Sequence, residues 1–159
     1  MNQVIVDIAD ARVSNHPDDV LVTYSLGSCV GVMVYDPEVR VGGMIHCMLP
    51  LSSVDPVKAG DKPFMFVDTG MMLFLKMLFD LGLSRSRAVI KVAGCSKILD
   101  NSNLFRIGER NYTVLRKLLW KNGLMIKSES VGGSVSRTVR LEMATGRCLL
   151  RSGGVESEL

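Results

Sequence analysis

Residues 21–50 read LVTYSLGSCVGVMVYDPEVRVGGMIHCMLP, and their pattern decides the class of fold. Short runs rich in β-branched residues lie at Val20 to Tyr24, Val30 to Asp36 and Val41 to Leu49, and turn residues bound each run. Runs of this kind predict strands of a β-sheet. A similar run at Val4 to Ile8 extends the pattern, so we expect the first third of the chain to consist of strands.

Helices enter in the remaining two thirds of the chain. Thr69 to Leu81 is apolar on nearly every side apart from Lys76 and Asp80, which predicts a helix packed deep against a sheet. An apolar stripe predicts a second helix from Glu109 to Lys121. Further strands are expected at four segments: Ala88 to Ala93, Leu124 to Ser130, Arg137 to Met143 and Arg147 to Leu150.

These elements predict one mixed α/β (α+β) domain over residues 1–159, with strands and helices sharing a single core. A segment rich in Gly, Ser and Asn that runs to about Asn103 is expected to be irregular. The Gly-, Ser- and Glu-rich tail from about Ser152 is expected to be frayed. No internal repeat, linker or low-complexity block divides the chain.

The composition excludes several classes of protein. Apolar residues make up 47% and charged residues 22%, as in ordinary globular domains. Asp7 and Asp10 break the N-terminal apolar run, unlike a signal peptide, and charged residues interrupt the most apolar segment, residues 64–83, unlike a membrane span. A net charge of +3 and 6% aromatic residues do not indicate nucleic-acid binding. We therefore expect a cytoplasmic protein with no membrane insertion and no nucleic-acid partner.

The cysteines indicate thiol chemistry rather than metal binding. Cys29, Cys47, Cys95 and Cys148 contain no CxxC pair, and the chain has only two histidines. A structural zinc site is therefore not expected, nor is another metal or a cofactor. In a reducing cytoplasm the four thiols are expected to be free.

Cys29 and His46 form a candidate nucleophile and base. A cysteine attacks as its thiolate, and a neighbouring imidazole favours that form. If Pro37 and Glu38 form the tip of a two-residue hairpin, Cys29 lies directly opposite His46, and opposed side chains have Cβ atoms about 4.5 to 5.5 Å apart. Pro-Glu is a poor turn for such a hairpin, and a register shift of one residue would put the two side chains on opposite faces.

Residues around this pair have the chemistry that a cysteine hydrolase requires. The turn at Gly27, Ser28 and Cys29 leaves backbone N–H groups uncovered, and such groups could stabilise the oxyanion that forms on attack. The hydroxyl of Thr23, in the preceding strand, could hold the imidazole of His46 in one tautomer, although a neutral hydroxyl is a weaker partner than a carboxylate.

Each of these residues also has an ordinary structural explanation. A buried cysteine is usually a small hydrophobe, a strand histidine is usually a satisfied core residue, and threonine is common in strands. Cys95 is a rival thiol, because Lys97 nearby could lower its pKa, although no histidine is close to it in the sequence. Gly132 and Gly133 could cradle an anion, but a turn or bulge is the favoured interpretation.

Longer motifs in the chain resemble those of a known family. TYSLGSCVGV at 23–32, YDP at 35–37 and GGMIHCMLP at 42–50 resemble the signature of CheD, the chemoreceptor glutamine deamidase of bacterial and archaeal chemotaxis. The resemblance spans roughly residues 4–151 and continues through four further motifs: FVDTGM at 66–71, IGERN at 107–111, VGG at 131–133 and TG at 145–146.

The resemblance implies a site, a reaction and a fold. The nucleophile of the family falls on Cys29, its general base on His46 and its histidine-orienting residue on Thr23. The implied reaction hydrolyses the side-chain amide of selected glutamines on methyl-accepting chemotaxis receptors and needs no cofactor. The implied fold is a sandwich of mixed β-sheets with helices packed on it, and the implied partners are the cytoplasmic helices of the receptors and a CheC-type CheY phosphatase.

The chain also departs from the family pattern. Residues 93–98 read AGCSKI where the family usually has Gly-Gly-Ala and a hydrophobic residue, Ser25 replaces a common glycine, and Ser130 replaces a common acidic residue. Two alternatives to the deamidase therefore stay open. One is a chemotaxis adaptor that binds a receptor or phosphatase with little catalysis, and the other is a thiol hydrolase that acts on a different amide.

Overall fold

The computed structural model describes residues 1–97 and 106–159, so most of the segment predicted to be irregular up to about Asn103 lies outside the described residues. The described part contains three α-helices: α1 Pro56–Asp61, α2 Val67–Asp80 and α3 Ile107–Lys121. It also contains ten strands: β1 Asn2–Ile5, β2 Asp10–Ser14, β3 Asp19–Leu26, β4 Val30–Asp36, β5 Val41–Cys47, β6 Val89–Gly94, β7 Ile126–Val131, β8 Arg137–Glu142, β9 Cys148–Ser152 and β10 Val155–Glu158.

The strands form two five-stranded sheets, each of mixed direction. The first sheet has the order β1-β3-β8-β9-β10, with β1 and β3 parallel. The second sheet has the order β2-β5-β4-β6-β7, with β6 and β7 parallel. The predicted mixed α/β fold with two packed sheets is therefore confirmed.

Every residue of β4 and β5 is buried, because the second sheet is covered on both faces. One face packs against α2 and α3 through side chains such as Ile45, Phe74 and Leu115. The other face packs against the first sheet through Met44 and Leu141, among others. The molecule thus has three layers: the helices, the second sheet and the first sheet. The candidate site lies in the core between the two sheets.

The hairpin of β4 and β5 has a longer turn than the sequence predicts. Its turn spans residues 37–40, Arg40 N donates to Asp36 O at 2.8 Å, and Arg40 has a φ of 55°. Consequently Gly31, and not Cys29, lies opposite His46, so the predicted direct opposition is wrong. The register differs by two residues rather than one, and Cys29 and His46 therefore keep the same face.

Exposed polar strands escaped the sequence prediction. The tail predicted to be frayed from about Ser152 instead contains β10, which pairs with β9, and Leu159 N donates to Cys148 O at 2.9 Å. All four residues of β10 are exposed, so no position in this strand requires an apolar side chain. Its sequence therefore lacks the alternation of apolar and polar residues that predicts a strand. β2 was missed for a related reason, since it is an edge strand with charged residues at Asp10 and Arg12.

The long buried elements match their predictions closely. β4 has the predicted bounds, and α2 and α3 each begin two residues before the predicted start. Among the described residues, no helix combines the length and the apolarity that crossing a bilayer requires.

Candidate active site

Thr23 and His46 meet across the two sheets. His46 lies near the end of β5, between β2 and β4 in the second sheet, on the face that it shares with Met44. Thr23 lies in β3 of the first sheet, and its Oγ1 is 2.7 Å from His46 Nδ1. Both side chains are buried, with 0% and 1% of their surface exposed. Packing of the two sheets therefore forms this contact between residues that are far apart in the sequence.

A second contact of Thr23 fixes the tautomer of His46. Thr23 Oγ1 also donates to the backbone carbonyl of Val6 at 2.8 Å. A threonine hydroxyl has one proton, and a carbonyl oxygen can only accept, so this proton is committed to Val6. Thr23 must then accept from the N–H at Nδ1 of His46. The imidazole therefore has its proton on Nδ1 and a free lone pair on Nε2.

The other ring nitrogen of His46 is ready to accept a proton. Nε2 is buried and makes no hydrogen bond with any residue that the structure describes. Buried polar atoms normally have a partner, so an exception suggests a functional role. A nitrogen lone pair held free in a fixed direction is what a general base requires.

Burial controls the protonation of both candidate residues. Removal from water lowers the pKa of His46 to about 4, and the charge of nearby Asp7 opposes this shift only in part. Burial also raises the pKa of the Cys29 thiol, against a smaller lowering by its own backbone N–H. Both shifts of pKa favour the uncharged forms, a neutral thiol and a neutral imidazole.

Cys29 lies in the turn between β3 and β4 and packs against the core between the two sheets. It precedes β4 by one residue and lies two residues before Gly31, the residue opposite His46. The thiol is half-buried. It makes no hydrogen bond to His46 in the free protein. Catalytic hydrogen bonds are often long before substrate binds and shorten in the complex.

Two neighbouring amides hold the turn that contains Cys29. Ser96 N donates to Gly27 O at 2.9 Å, and Cys95 N donates to Cys29 O at 2.8 Å. By contrast, the amides of Ser28 and Cys29 donate to no backbone carbonyl within the described residues. The turn therefore has the carbonyls of Gly27 and Cys29 bound, and the oxyanion site at Gly27 and Ser28 stays a prediction.

The segment that holds this turn is itself braced by a buried arginine. Arg137 donates from Nη1 to Gly94 O at 3.2 Å and to Ser96 Oγ at 2.8 Å, and from Nε to Ser130 Oγ at 3.0 Å. Burial lowers the pKa of Arg137. No sequence pattern predicted this contact.

The rival thiols are poor nucleophiles. Cys47, Cys95 and Cys148 are buried, and burial raises the pKa of each, to about 12 for Cys95 and to about 11 for Cys148. The expectation that Lys97 lowers the pKa of Cys95 is wrong, because burial raises that pKa and Lys97 is exposed and pairs with Glu109 at 3.4 Å. Cys29 is the most accessible of the four thiols.

Two positions that depart from the family pattern, Ser25 and Cys95, have an unusual backbone conformation. Ser25 has a φ of 57° and Cys95 a φ of 56°, which is the left-handed region that favours glycine. A glycine at the position of Ser25 would relieve this strain. Gly132 and Gly133 also have positive φ values and form the predicted turn, in which Gly132 N donates to Gly94 O at 3.0 Å.

Within residues 1–97 and 106–159, no three side chains of His, Cys, Asp or Glu are grouped so that they could hold a metal ion.

Sequence reasoning missed a polar side chain at the site, Asn111, whose Nδ2 donates to Ser28 O at 3.0 Å. Asn111 ends the IGERN motif, and that motif was the available signal.

Comparison with known proteins gives consistent matches. A family model described as CheD chemotactic sensory transduction matches residues 48–152. A probable chemoreceptor glutamine deamidase of Syntrophus aciditrophicus is 50% identical over 154 residues, covering 97% of this chain and 96% of that one. A protein of the same name in Solibacter usitatus is 46% identical over 159 residues, covering 100% and 94%. A third, in Anaeromyxobacter dehalogenans, is 40% identical over 153 residues, covering 96% of each chain.

Among solved structures, the crystal structure of a Neisseria meningitidis protein aligns with a TM-score of 0.49 and 8% identity. That alignment covers 84% of this chain and 63% of the other.

Proposed function

This chain belongs to the CheD family, and we propose on that premise that it converts selected glutamine side chains of chemoreceptors to glutamate and releases ammonia. Relatives that are 40 to 50% identical over nearly the whole chain are named as probable chemoreceptor glutamine deamidases. In the structure, the observation that carries the proposal is the hydrogen bond of 2.7 Å between Thr23 and His46, which leaves Nε2 of the imidazole buried and without a partner among the described residues. The strand register sets Gly31, two residues after Cys29, opposite His46.

The first chemical step forms a thioester. His46 Nε2 takes the proton of Cys29 as the sulfur attacks the carboxamide carbon of the glutamine. The backbone N–H groups of Ser28 and Cys29 stabilise the oxyanion of the tetrahedral intermediate. That intermediate collapses when the carbon–nitrogen bond breaks, and the proton on Nε2 goes to the leaving nitrogen, which departs as ammonia.

The second chemical step releases the product. A water molecule attacks the thioester carbon, and His46 Nε2 takes its proton. The same N–H groups stabilise the second oxyanion. The carbon–sulfur bond then breaks, and the Cys29 thiolate recovers the proton from Nε2. One water is consumed and one amide becomes one carboxylic acid, so the cysteine and the histidine return to their starting forms.

Thr23 contributes through the protonated form of the base. When Nε2 accepts a proton, the imidazole becomes positively charged, and its Nδ1–H donates to Thr23 as a charged group. Hydrogen bonds from charged donors are about twice as strong as neutral ones. Thr23 therefore stabilises the imidazolium more than the imidazole, and it keeps Nε2 as the accepting nitrogen.

The exposed side of α3 is suited to an acidic partner. Arg110, Arg116, Lys117 and Lys121 are exposed on this helix, and none of them forms an ion pair with another described residue. Unpaired positive charges attract negatively charged surfaces over several ångströms. The proposal assigns this side to acidic stretches of the cytoplasmic receptor helices, and it puts the protein in the cytoplasm, where a CheC-type phosphatase is a further candidate partner.

The function is tested by incubating the purified protein with a cytoplasmic fragment of a chemoreceptor and measuring intact mass. Deamidation adds the mass difference between OH and NH2 at each modified glutamine. An adaptor would bind the fragment and leave its mass unchanged. A thiol hydrolase for another amide would release ammonia from small amides while the fragment stays unmodified.

A further inference from the structure

Asn111 connects α3 to the turn of the proposed nucleophile. The side chain is fully buried, and its Nδ2 donates to Ser28 O and to Met48 O, each at 3.0 Å. Both partners are carbonyl oxygens, which only accept, so the NH2 group must face them and both of its protons are used. The oxygen Oδ1 has no partner among the described residues.

Building on the proposed function, we propose that Asn111 is a positioning residue that aims the backbone N–H of Cys29 at the oxyanion. The peptide bond between Ser28 and Cys29 is trans, because the described chain contains no cis peptide. In a trans peptide the C=O and the N–H point in opposite directions. A hydrogen bond that holds Ser28 O against Asn111 therefore turns the N–H of Cys29 to the opposite side of the peptide plane.

The peptide bond between Gly27 and Ser28 also has its C=O and N–H pointing in opposite directions. Ser96 N holds Gly27 O, so the N–H of Ser28 is directed away from Ser96. Of the two proposed oxyanion donors, the amide of Ser28 is thus oriented by a backbone contact. The amide of Cys29 is oriented by a side chain, and a side chain can be replaced by mutation.

The second hydrogen bond of Asn111 reaches the strand of the proposed base. Met48 directly follows β5 and lies two residues after His46. One amide group thereby ties the nucleophile turn to the end of the strand that holds the imidazole.

Gly108 explains how α3 comes close enough for this contact. A Cβ atom at Gly108 would lie 2.7 Å from the carbonyl carbon and oxygen of Cys95 and from Ser96 O. Any side chain there would push the start of α3 away from the segment that holds the turn. Asn111 follows about one helical turn later. The IGERN motif at 107–111 thus combines a close approach with a directed amide.

The test compares two reactions of Cys29 in the variant Asn111→Leu, which keeps the approximate shape and removes both donors. Deamidation of a receptor fragment passes through an oxyanion, whereas alkylation by iodoacetamide displaces iodide at a saturated carbon and forms none. Removing an oxyanion donor typically costs about 10²- to 10³-fold in kcat, and a misdirected donor should cost about 10- to 10²-fold. The rate of Cys29 alkylation should change by no more than about threefold.

Leu115→Ala serves as the matched control, because Leu115 is equally buried on the same helix and packs in the core between helices and sheet. It should lower thermal stability and leave kcat close to that of the unchanged protein. If Asn111→Leu does not fold, as judged by circular dichroism, Asn111→Asp keeps the shape and sets an acceptor against Ser28 O and Met48 O. The same separation of the two rates is expected.

Two results would overturn the inference: an unchanged kcat in a folded variant, or a loss of deamidation matched by an equal loss of alkylation. Either result, with Cys29-dependent turnover in the unchanged protein, leaves the proposed function standing. Absence of turnover in the unchanged protein, or turnover that survives Cys29→Ala, removes the proposed function and this inference with it.

Discussion

Thr23 Oγ1 lies 2.7 Å from His46 Nδ1, and this hydrogen bond joins the first sheet to the second. The same hydroxyl donates to Val6 O, so the direction of the bond to His46 is fixed. The protein thus obtains a defined imidazole tautomer from a neutral residue. A carboxylate in that place would instead raise the pKa of the imidazole and favour its charged form.

Thr23→Val should lower kcat by about two- to thirteenfold, the effect of losing a hydrogen bond of about 0.5 to 1.5 kcal/mol in the transition state. Thr23→Ser is the matched control, because it keeps the hydroxyl, and it should retain most of the activity. Nitrogen-15 NMR of the unchanged protein should find the proton of His46 on Nδ1. A proton on Nε2 would contradict the assigned tautomer.

His46 should be neutral at pH 7 in the free protein, because burial lowers its pKa to about 4. The base is active when neutral, so turnover should persist on the acid side of pH 6.5 and fall as pH drops through about 4. NMR titration of the imidazole in the unchanged protein and in Cys29→Ala should give similar values. An imidazolium at pH 7 that disappears in Cys29→Ala would instead demonstrate a thiolate–imidazolium pair.

Iodoacetamide should label Cys29 before Cys47, Cys95 or Cys148. Cys29 is half-buried, whereas the other three thiols are buried and their pKa values are raised. The pKa of Cys29 is also raised, so its labelling rate should keep increasing with pH above neutrality. Peptide mass spectrometry at several times measures the order, and equal rates for all four would argue against an accessible nucleophile.

Raising the ionic strength should slow association with a receptor fragment, because the positive side of α3 is solvent-exposed and exposed charges are screened within about 8 Å at physiological salt. The double variant Arg116→Gln with Lys117→Gln should associate more slowly and depend less on salt. Arg151→Gln, on the first sheet, is the control. An association rate that does not change with salt would exclude steering by α3.

Local pattern predicted the elements that are long and buried. β4 and α2 are long, nearly continuous apolar runs, whereas β10 is polar and wholly exposed and shows no such run. The register of the β4–β5 hairpin depended on a turn in which Arg40 adopts a left-handed conformation, which its residue type does not indicate. Residue spacing alone therefore could not give the register.

At the site, residue types and motifs singled out Cys29, His46 and Thr23 before any contact was known. Their roles in catalysis stay predictions, although the contact between Thr23 and His46 is now described. The contact of Asn111 with Ser28 spans 83 residues of sequence and depends on how α3 packs. Short-range patterns contain no information on such a contact.

The nucleophile variant tests the central claim most directly. Cys29→Ala should abolish the mass gain of a receptor fragment, and His46→Ala should do the same, since a nucleophile and its base act as a unit. Cys148→Ala is the matched control, because it removes a thiol from the same core between the sheets and should leave turnover intact. A folded Cys29→Ala protein that still converts receptor glutamine to glutamate would contradict the account.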